Sequence, residues 1–234
     1  MDLYTPINAN GFVVMTCNLH FERVAVVVAH PDDETLWAGG TILLHARWHW
    51  EVFTLCRATD PDRAPRFAQA LRELGATGRM ADLDDGPDQH PLPEQEVQDA
   101  VYAFLGDTAY DLVITHGPAG EYTRHLRHEE ACRAVTALWE QDRLRAQALW
   151  LFAYNDDGGR RLPKPADDAD FRLPLPPPIW EAKRRIVTEV YGFAADSWET
   201  RTTPCVEAFR CFDNPVEYRQ WLKRGYIDES AHSL

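Results

Sequence analysis

Four side chains able to bind a metal or move a proton crowd into the segment His30-Pro31-Asp32-Asp33-Glu34, directly after the apolar run Val24-Ala25-Val26-Val27-Val28. Imidazole and carboxylate are the ligand set of zinc and similar divalent cations. His30 and Asp33, three apart across a turn, can converge on one ion. Asp32 then sits beside that ion without having to bind it, where a general base must stand to take a proton from an activated water. Glu34 reads as a first-turn residue that supports the site from behind. The competing reading is helix capping, since a Pro near a helix start followed by Asp and Glu needs no catalysis to explain it.

A catalytic metal site needs a third ligand, and the chain has nine histidines. His125 and His128 are the best placed. They follow a second apolar run, Leu112-Val113-Ile114-Thr115, through a loop rich in Gly, Pro, His and Arg, and they open the next helix. Through one of them, His30 and Asp33 gain the third ligand of a site that leaves a position open for water, the catalytic rather than the structural arrangement. His45 and His49 have the i, i+4 spacing of a helical zinc pair, but Trp48 and Trp50 flank them and no Glu follows His45. A solvated or packed face is the better reading there. His20, His90 and His232 carry no signal. The five cysteines are scattered and include no CxxC pair, so neither a disulfide framework nor a structural zinc site is expected, and the thiols should be reduced and mostly buried.

The elements that must position these residues follow from periodicity. A strand is expected over 24–29, then a helix over 34–48 in which Gly39-Gly40 lets the backbone approach the sheet closely. A strand at 52–56 and a helix at 62–74, stopped by Gly75, come next. A weak strand near 80–83 ends in the turn Asp84-Asp85-Gly86-Pro87. A helix over 94–106, a strand over 112–115, a loop over 116–127, a helix over 128–143 and a strand over 148–152 complete the series. Strands alternating with helices imply an α/β fold with a mostly parallel sheet covered on both faces. Both histidine clusters then lie at carboxyl ends of strands, where open sheets build their sites. The proline-rich stretch 155–178 reads as a long loop, followed by a helix over 179–190 and an aromatic tail that packs back. The whole of 1–234 reads as one domain, with a core over 24–152 and an extension over 153–234 that shapes the pocket.

Composition narrows the partners. Hydrophobic residues make up 45% of the 234, enough for a globular core, and the formal net charge is −13. An acidic surface repels phosphate backbones, so no nucleic-acid partner is expected. No stretch has the apolar length of a membrane span, and the N-terminus lacks the basic and apolar regions of a signal peptide. A cytoplasmic location is expected; homo-oligomer formation is left open.

The motif Ala29-His30-Pro31-Asp32-Asp33-Glu34 and the region Gly120-Glu121-Tyr122 through His125-x-x-His128 together resemble the PIG-L/LmbE-like family of metal-dependent N-deacetylases. Asp84-Asp85-Gly86 resembles a recurring turn of that family. The resemblance runs over roughly 24–150. It implies a Rossmann-like three-layer fold, with His30, Asp33 and His128 as zinc ligands (or ligands of another divalent metal) and Asp32 as general base. His125 would stabilise the oxyanion or protonate the leaving amine. The implied reaction is removal of an N-acetyl or other N-acyl group from an amino sugar or a related small glycoside or natural product. Arg63, Tyr122 and Arg124 are candidate substrate contacts, though Tyr122 and Arg124 read equally well as loop anchors. Trp150, Trp180 and Trp198 could stack on a sugar but are more often core at such positions.

Two positions depart from the family pattern. Leu126-Arg127 stands between the two histidines where Pro-Asp is usual, adding a cation that would favour an anionic substrate group or point to solvent. Arg63-x-x-Arg66 stands where Arg-x-x-Glu is frequent, which leaves the orientation of Arg63 open. Two other functions compete with amide hydrolysis: a non-catalytic ligand-binding α/β domain with a vestigial site, and a metal-dependent esterase or phosphoesterase. The intact His30, Asp32, Asp33 and His128 argue against the first, and the scarcity of ligands for a second metal against a phosphoesterase.

Overall fold

A computed structural model describes residues 21–122 and 125–231, with side chains described to residue 225. A seven-stranded sheet forms the centre. Its first five strands are β1 (Arg23–Val28), β2 (His49–Thr54), β3 (Thr77–Met80), β4 (Ala109–Thr115) and β5 (Arg145–Phe152). They are all parallel and lie in the order β3-β2-β1-β4-β5. Connecting helices are α1 (Asp33–Leu44), α2 (Arg63–Leu74), α3 (Glu94–Leu105) and α4 (Leu126–Glu140). Val24 through Ala29 are 0% exposed, the burial that a continuous apolar strand in a two-sided parallel sheet requires. Two apolar clusters fill the two faces, one around Trp37, Trp50 and Phe209, the other around Val113, Leu138 and Phe212. The expected α/β architecture with a mostly parallel sheet is the one observed.

The C-terminal part departs from the expectation of a long loop. Residues 155–178 carry a short hairpin, β6 (Tyr154–Asn155) with β7 (Lys164–Pro165), and a sheet strand, β8 (Phe171–Pro174). After α5 (Pro177–Arg185), a π-helical turn (Ile186–Val190) and α6 (Trp198–Thr202), strand β9 (Val206–Phe212) runs antiparallel to β5 and pairs with β8. The sheet thus gains two antiparallel strands from outside the expected core. Pro174 is tolerated in β8 because that strand is the sheet edge. The last helix, α7 (Pro215–Ala231), packs Tyr218 and Trp221 against Phe212, so the aromatic tail folds back as expected.

Helix α1 ends at Leu44 rather than running to 48, and His49 already opens β2. His45 and His49 therefore do not share a helix face. The His45 ring stacks on Trp48 at 4.0 Å, which is the packed reading of that residue. The glycine pair does bring α1 close to its surroundings: a side chain at Gly40 would collide with Leu175, and the Gly40 and Thr41 amides both donate to the buried Glu207 carboxylate of β9 at 2.7 Å. Glu207 is balanced by the equally buried Lys183 at 2.6 Å. No disulfide joins the described cysteines; Cys56 and Cys132 are buried and Cys205 is exposed. No helix among the described residues is long and apolar enough to cross a membrane.

Candidate active site

The order β2-β1-β4-β5 reverses chain direction of winding between β1 and β4. Crevices at such switch points, beyond the strand carboxyl ends, are where doubly wound sheets bind ligands. His30 to Glu34 leave β1 there, and His116 follows the end of β4. A cleft of about 430 Å³ opens above them, lined among others by His30, Asp32, Asp33, Arg63, Tyr122 and His125.

Asp33 is the hub. Its Oδ2 lies 3.3 Å from His30 Nδ1 and 3.3 Å from His128 Nε2, and it accepts the His30 backbone N–H at 2.9 Å. Its Oδ1 accepts from Trp37 Nε1 at 3.3 Å. The far side of each imidazole is held by another carboxylate. His128 Nδ1 faces Glu121 Oε2 at 2.7 Å, and His30 Nε2 faces Asp85 Oδ1 at 3.1 Å. Ionised carboxylates only accept, so those ring nitrogens carry the protons. The remaining atoms, His30 Nδ1, His128 Nε2 and Asp33 Oδ2, face one another and can all turn lone pairs on an ion that displaces the imidazole protons, and buried His128 Nε2 has no hydrogen-bond partner among the described residues. That donor set fits a divalent cation of the zinc type. Ligand atoms of His30, His125 and His128, and those of Asp33, His116 and His128, also fall within 4.8 Å of one another, two groups joined at His128. The field at this point is strongly negative. Burial opposes it, yet Asp33 and Glu121 raise His128 to about 10.

Glu121 and His116 were not singled out by sequence reasoning. Glu121 Oε2 also accepts from His116 Nδ1 at 2.9 Å and Oε1 from the Gly117 amide at 3.0 Å. His116 Nε2 in turn accepts the Ala29 amide at 2.9 Å, which fixes its tautomer and ties the end of β1 to the end of β4. The His116 ring stacks on His128 at 3.8 Å. Against burial, His116 and His128 hold Glu121 down at about 2. Glu121 stood within the Gly120-Glu121-Tyr122 stretch that resembles the family, with no role assigned to it, and His116 carried only its position just beyond a buried strand.

Asp32 stands apart from this cluster. It makes no side-chain cap to α1, which removes the capping explanation for that residue. Its backbone has φ 117°, a region in which L-residues are strained. Glu34 holds it there: Oε2 accepts the Asp32 amide at 3.0 Å, while Oε1 accepts from Tyr191 and Thr35, each at 2.6 Å. Glu34 thus supports the site from behind, as its position suggested. The Asp32 carboxylate, 20% exposed towards the cleft, pairs with Arg63 Nη1 at 3.3 Å. Burial and the neighbouring Asp33 and Glu34 charges push the Asp32 carboxyl well above its ordinary range. Arg63 itself lies over the Phe193 ring at 4.8 Å, so its guanidinium has a fixed orientation towards Asp32.

His125 lies in extended backbone one residue before α4, its ring 4.7 Å from that of His30 and 4.4 Å from that of His128. Burial, with the His128 and His30 charges, lowers it to about 4, so the imidazole is neutral at physiological pH. Tyr122 packs edge-on against His125 and His128 and lines the cleft. Arg124 lies outside the described residues. Of the three tryptophans weighed for stacking, Trp150 is core at 3% exposure, Trp180 is tied to the Thr203 carbonyl, and Trp198 lines the cleft.

Residues 25–139 match the PIG-L family, described as GlcNAc-PI de-N-acetylase. The 1D-myo-inositol 2-acetamido-2-deoxy-alpha-D-glucopyranoside deacetylase of Actinosynnema mirum is 30% identical over 196 residues, covering 66% of this chain and 68% of that protein. The chain belongs to the PIG-L family. Solved structures share the fold across most of both chains. The N,N'-diacetylchitobiose deacetylase of Pyrococcus horikoshii superposes with a TM-score of 0.65 at 17% identity, over 85% of this chain and 86% of that one. The 4-carboxy-2-hydroxymuconate hydratase GalB of Pseudomonas putida gives 0.54 at 15%, over 81% and 95%. A hydratase on the same scaffold is a reminder that the fold alone does not name the reaction.

The two departures from the PIG-L pattern have structural answers. Arg127 neither faces the cleft nor points to solvent: it is 2% exposed and donates to the carbonyls of Asp84 (2.6 Å) and His90 (2.9 Å) and to Glu130 (2.5 Å). It clamps the loop 84–90, which carries Asp85 to His30. It therefore gives no reason to expect an anionic substrate group. Arg66 likewise has a task of its own, donating to Asp62 at 2.7 Å and to the Val190 carbonyl of the π-helical turn at 3.0 Å. Gly192 is needed beside it, with φ +79° and no room for a side chain against the Arg66 guanidinium.

Proposed function

We propose that this PIG-L protein is a zinc-dependent hydrolase that removes the N-acetyl, or another N-acyl, group from an amino sugar or related small glycoside. The observation that carries the reading is the meeting of His30 Nδ1, Asp33 Oδ2 and His128 Nε2, which are three ligand atoms once the imidazoles are neutral, beside an Asp32 carboxylate free of that cluster. His30, Asp33 and His128 would hold the ion, which when bound supplies Lewis acidity that lowers the pKa of water and polarises a carbonyl oxygen.

The remaining work falls to the chain. Asp32, with its raised affinity for a proton, is the general base and takes the proton of the attacking water. Arg63 keeps its carboxylate aimed at the cleft and Glu34 keeps its strained backbone in place. Neutral His125 donates a hydrogen bond to the carbonyl oxygen as negative charge develops on it. Neutral His125 lends only that hydrogen bond, and Asp32 returns to the departing amine the proton it took. The names of the Actinosynnema and Pyrococcus relatives, both deacetylases of acetamido sugars, support the substrate class.

The test is a screen of N-acetylated amino sugars with the zinc-reconstituted protein, reading free amine and acetate. Release that a chelator abolishes and zinc restores is expected. Phosphate or alcohol release from phosphoesters or esters, with no amine from any acetamide, would replace this reading with an esterase or phosphoesterase.

A further inference from the structure

We propose that Trp198 and Glu199 form the subsite that holds the sugar ring and so select the substrate. This rests on the amide-hydrolase reading above. Both residues line the cleft beside Asp32 and His125, and both lie beyond residues 25–139, the stretch that the family model matches. The reacting groups come from β1 and α4, whereas this wall comes from α6 in the C-terminal extension.

The wall is fixed before any ligand arrives. Ser197 Oγ caps α6 by accepting the Thr200 amide at 3.2 Å, and the Glu199 carbonyl accepts both the amide and the hydroxyl of Thr203 at 2.9 Å. Trp180 Nε1 donates to the Thr203 carbonyl at 3.2 Å, and Thr200 and Thr202 are buried. The Trp198 ring packs at 63° against Tyr122, 4.6 Å between centroids, so its orientation is set by the residue beside His125.

The charges in the cleft single out Glu199. Asp32 is paired with Arg63, Asp33 with His30 and His128, and Asp85 with Arg57. No hydrogen bond or ion pair reaches the Glu199 carboxylate among the described residues, although the side chain is half-buried. A carboxylate only accepts, so it takes hydroxyl or ammonium donors and repels phosphate and carboxylate groups. A flat indole next to it offers an apolar face. A pyranose ring presents both complements, vicinal hydroxyls at its rim and C–H bonds on its face. The ligand class is thus an uncharged or amino sugar, not a sugar phosphate at this position.

Two measurements test this on the full-length chain: steady-state hydrolysis of methyl N-acetylglucosaminide by the zinc-loaded protein, and binding of the same glycoside to the metal-free protein by saturation-transfer NMR. Glu199→Gln exchanges one acceptor for a donor and should raise KM roughly 10- to 100-fold, with kcat within a factor of three. Trp198→Leu should weaken NMR-detected binding similarly, and Trp198→Phe should restore most of it. Wild-type KM and binding in Glu199→Gln and Trp198→Leu would overturn the subsite while leaving the hydrolase reading intact. Variant-sensitive binding to a wild-type protein that releases no acetate would keep the subsite and sink the hydrolase.

Discussion

Replacing Glu121 by Gln tests the buried frame behind the proposed metal ligands. Glu121 accepts three hydrogen bonds, two from the imidazoles of His116 and His128 and one from the Gly117 amide. A carboxamide has one acceptor oxygen, so whichever way it is turned, at least one buried N–H meets an NH2 group. An unsatisfied buried donor costs roughly 1–3 kcal/mol. Titration adds a second signature. The folded-state pKa of Glu121 is depressed from 4.5 to about 2. Its ionisation therefore contributes stability that is present above pH 4.5 and is lost as the pH falls towards 2. At about 1.4 kcal/mol per unit, that contribution is roughly 3 kcal/mol. Urea unfolding of the metal-free protein, measured at intervals from pH 6 to pH 3, should show a steep acid limb in the wild type and a shallower one in Glu121→Gln. With the His128 tautomer no longer fixed, zinc affinity measured against a competing chelator should drop about 10- to 100-fold. A variant with wild-type acid sensitivity and zinc affinity within twofold of wild type would refute the assignment of Glu121 as the group that orients His128.

Other substitutions perturb separate parts of the molecule. His128→Ala should leave zinc stoichiometry near zero by metal analysis; one ion per chain retained would displace it from the ligand set. Arg127→Met should free the loop 84–90 and leave buried Glu130 uncompensated, costing roughly 3–5 kcal/mol by urea unfolding. The same variant should open a proteolytic site in that loop, and wild-type protease resistance would speak against the clamp. Lys183→Met strands the Glu207 carboxylate among the Gly40 and Thr41 amides, and a loss of the same size is expected in thermal or urea unfolding.

Much of this was legible in the chain because it is local. The β-branched run ending at Ala29 could only be a buried strand, and a His beyond it could only face the sheet's crevice. The helix-to-strand alternation fixed the parallel half of the sheet. Strands β8 and β9 were not legible, since their pairing joins β5 to residues about sixty positions later and Phe171–Pro174 sits in a stretch whose prolines read as loop. The proposed metal ligands were visible by type and spacing, but Glu121 and His116 act through contacts that no spacing template encodes. Arg127 shows the same limit from the other side: its charge reads as offered to an anionic substrate group or to solvent, and it is consumed by two backbone carbonyls and Glu130 that only the folded chain brings near.

In the proposed mechanism one motif divides the labour: His30 and Asp33 hold the ion with His128, and Asp32 moves the proton. Asp32→Asn tests it most directly, read for zinc content and for acetate release from an N-acetylated amino sugar in the same preparation. The variant should hold about one zinc per chain, as in the wild type, with hydrolysis reduced at least about 100-fold. Loss of the zinc, or acetate release close to the wild-type rate with zinc in place, would contradict it.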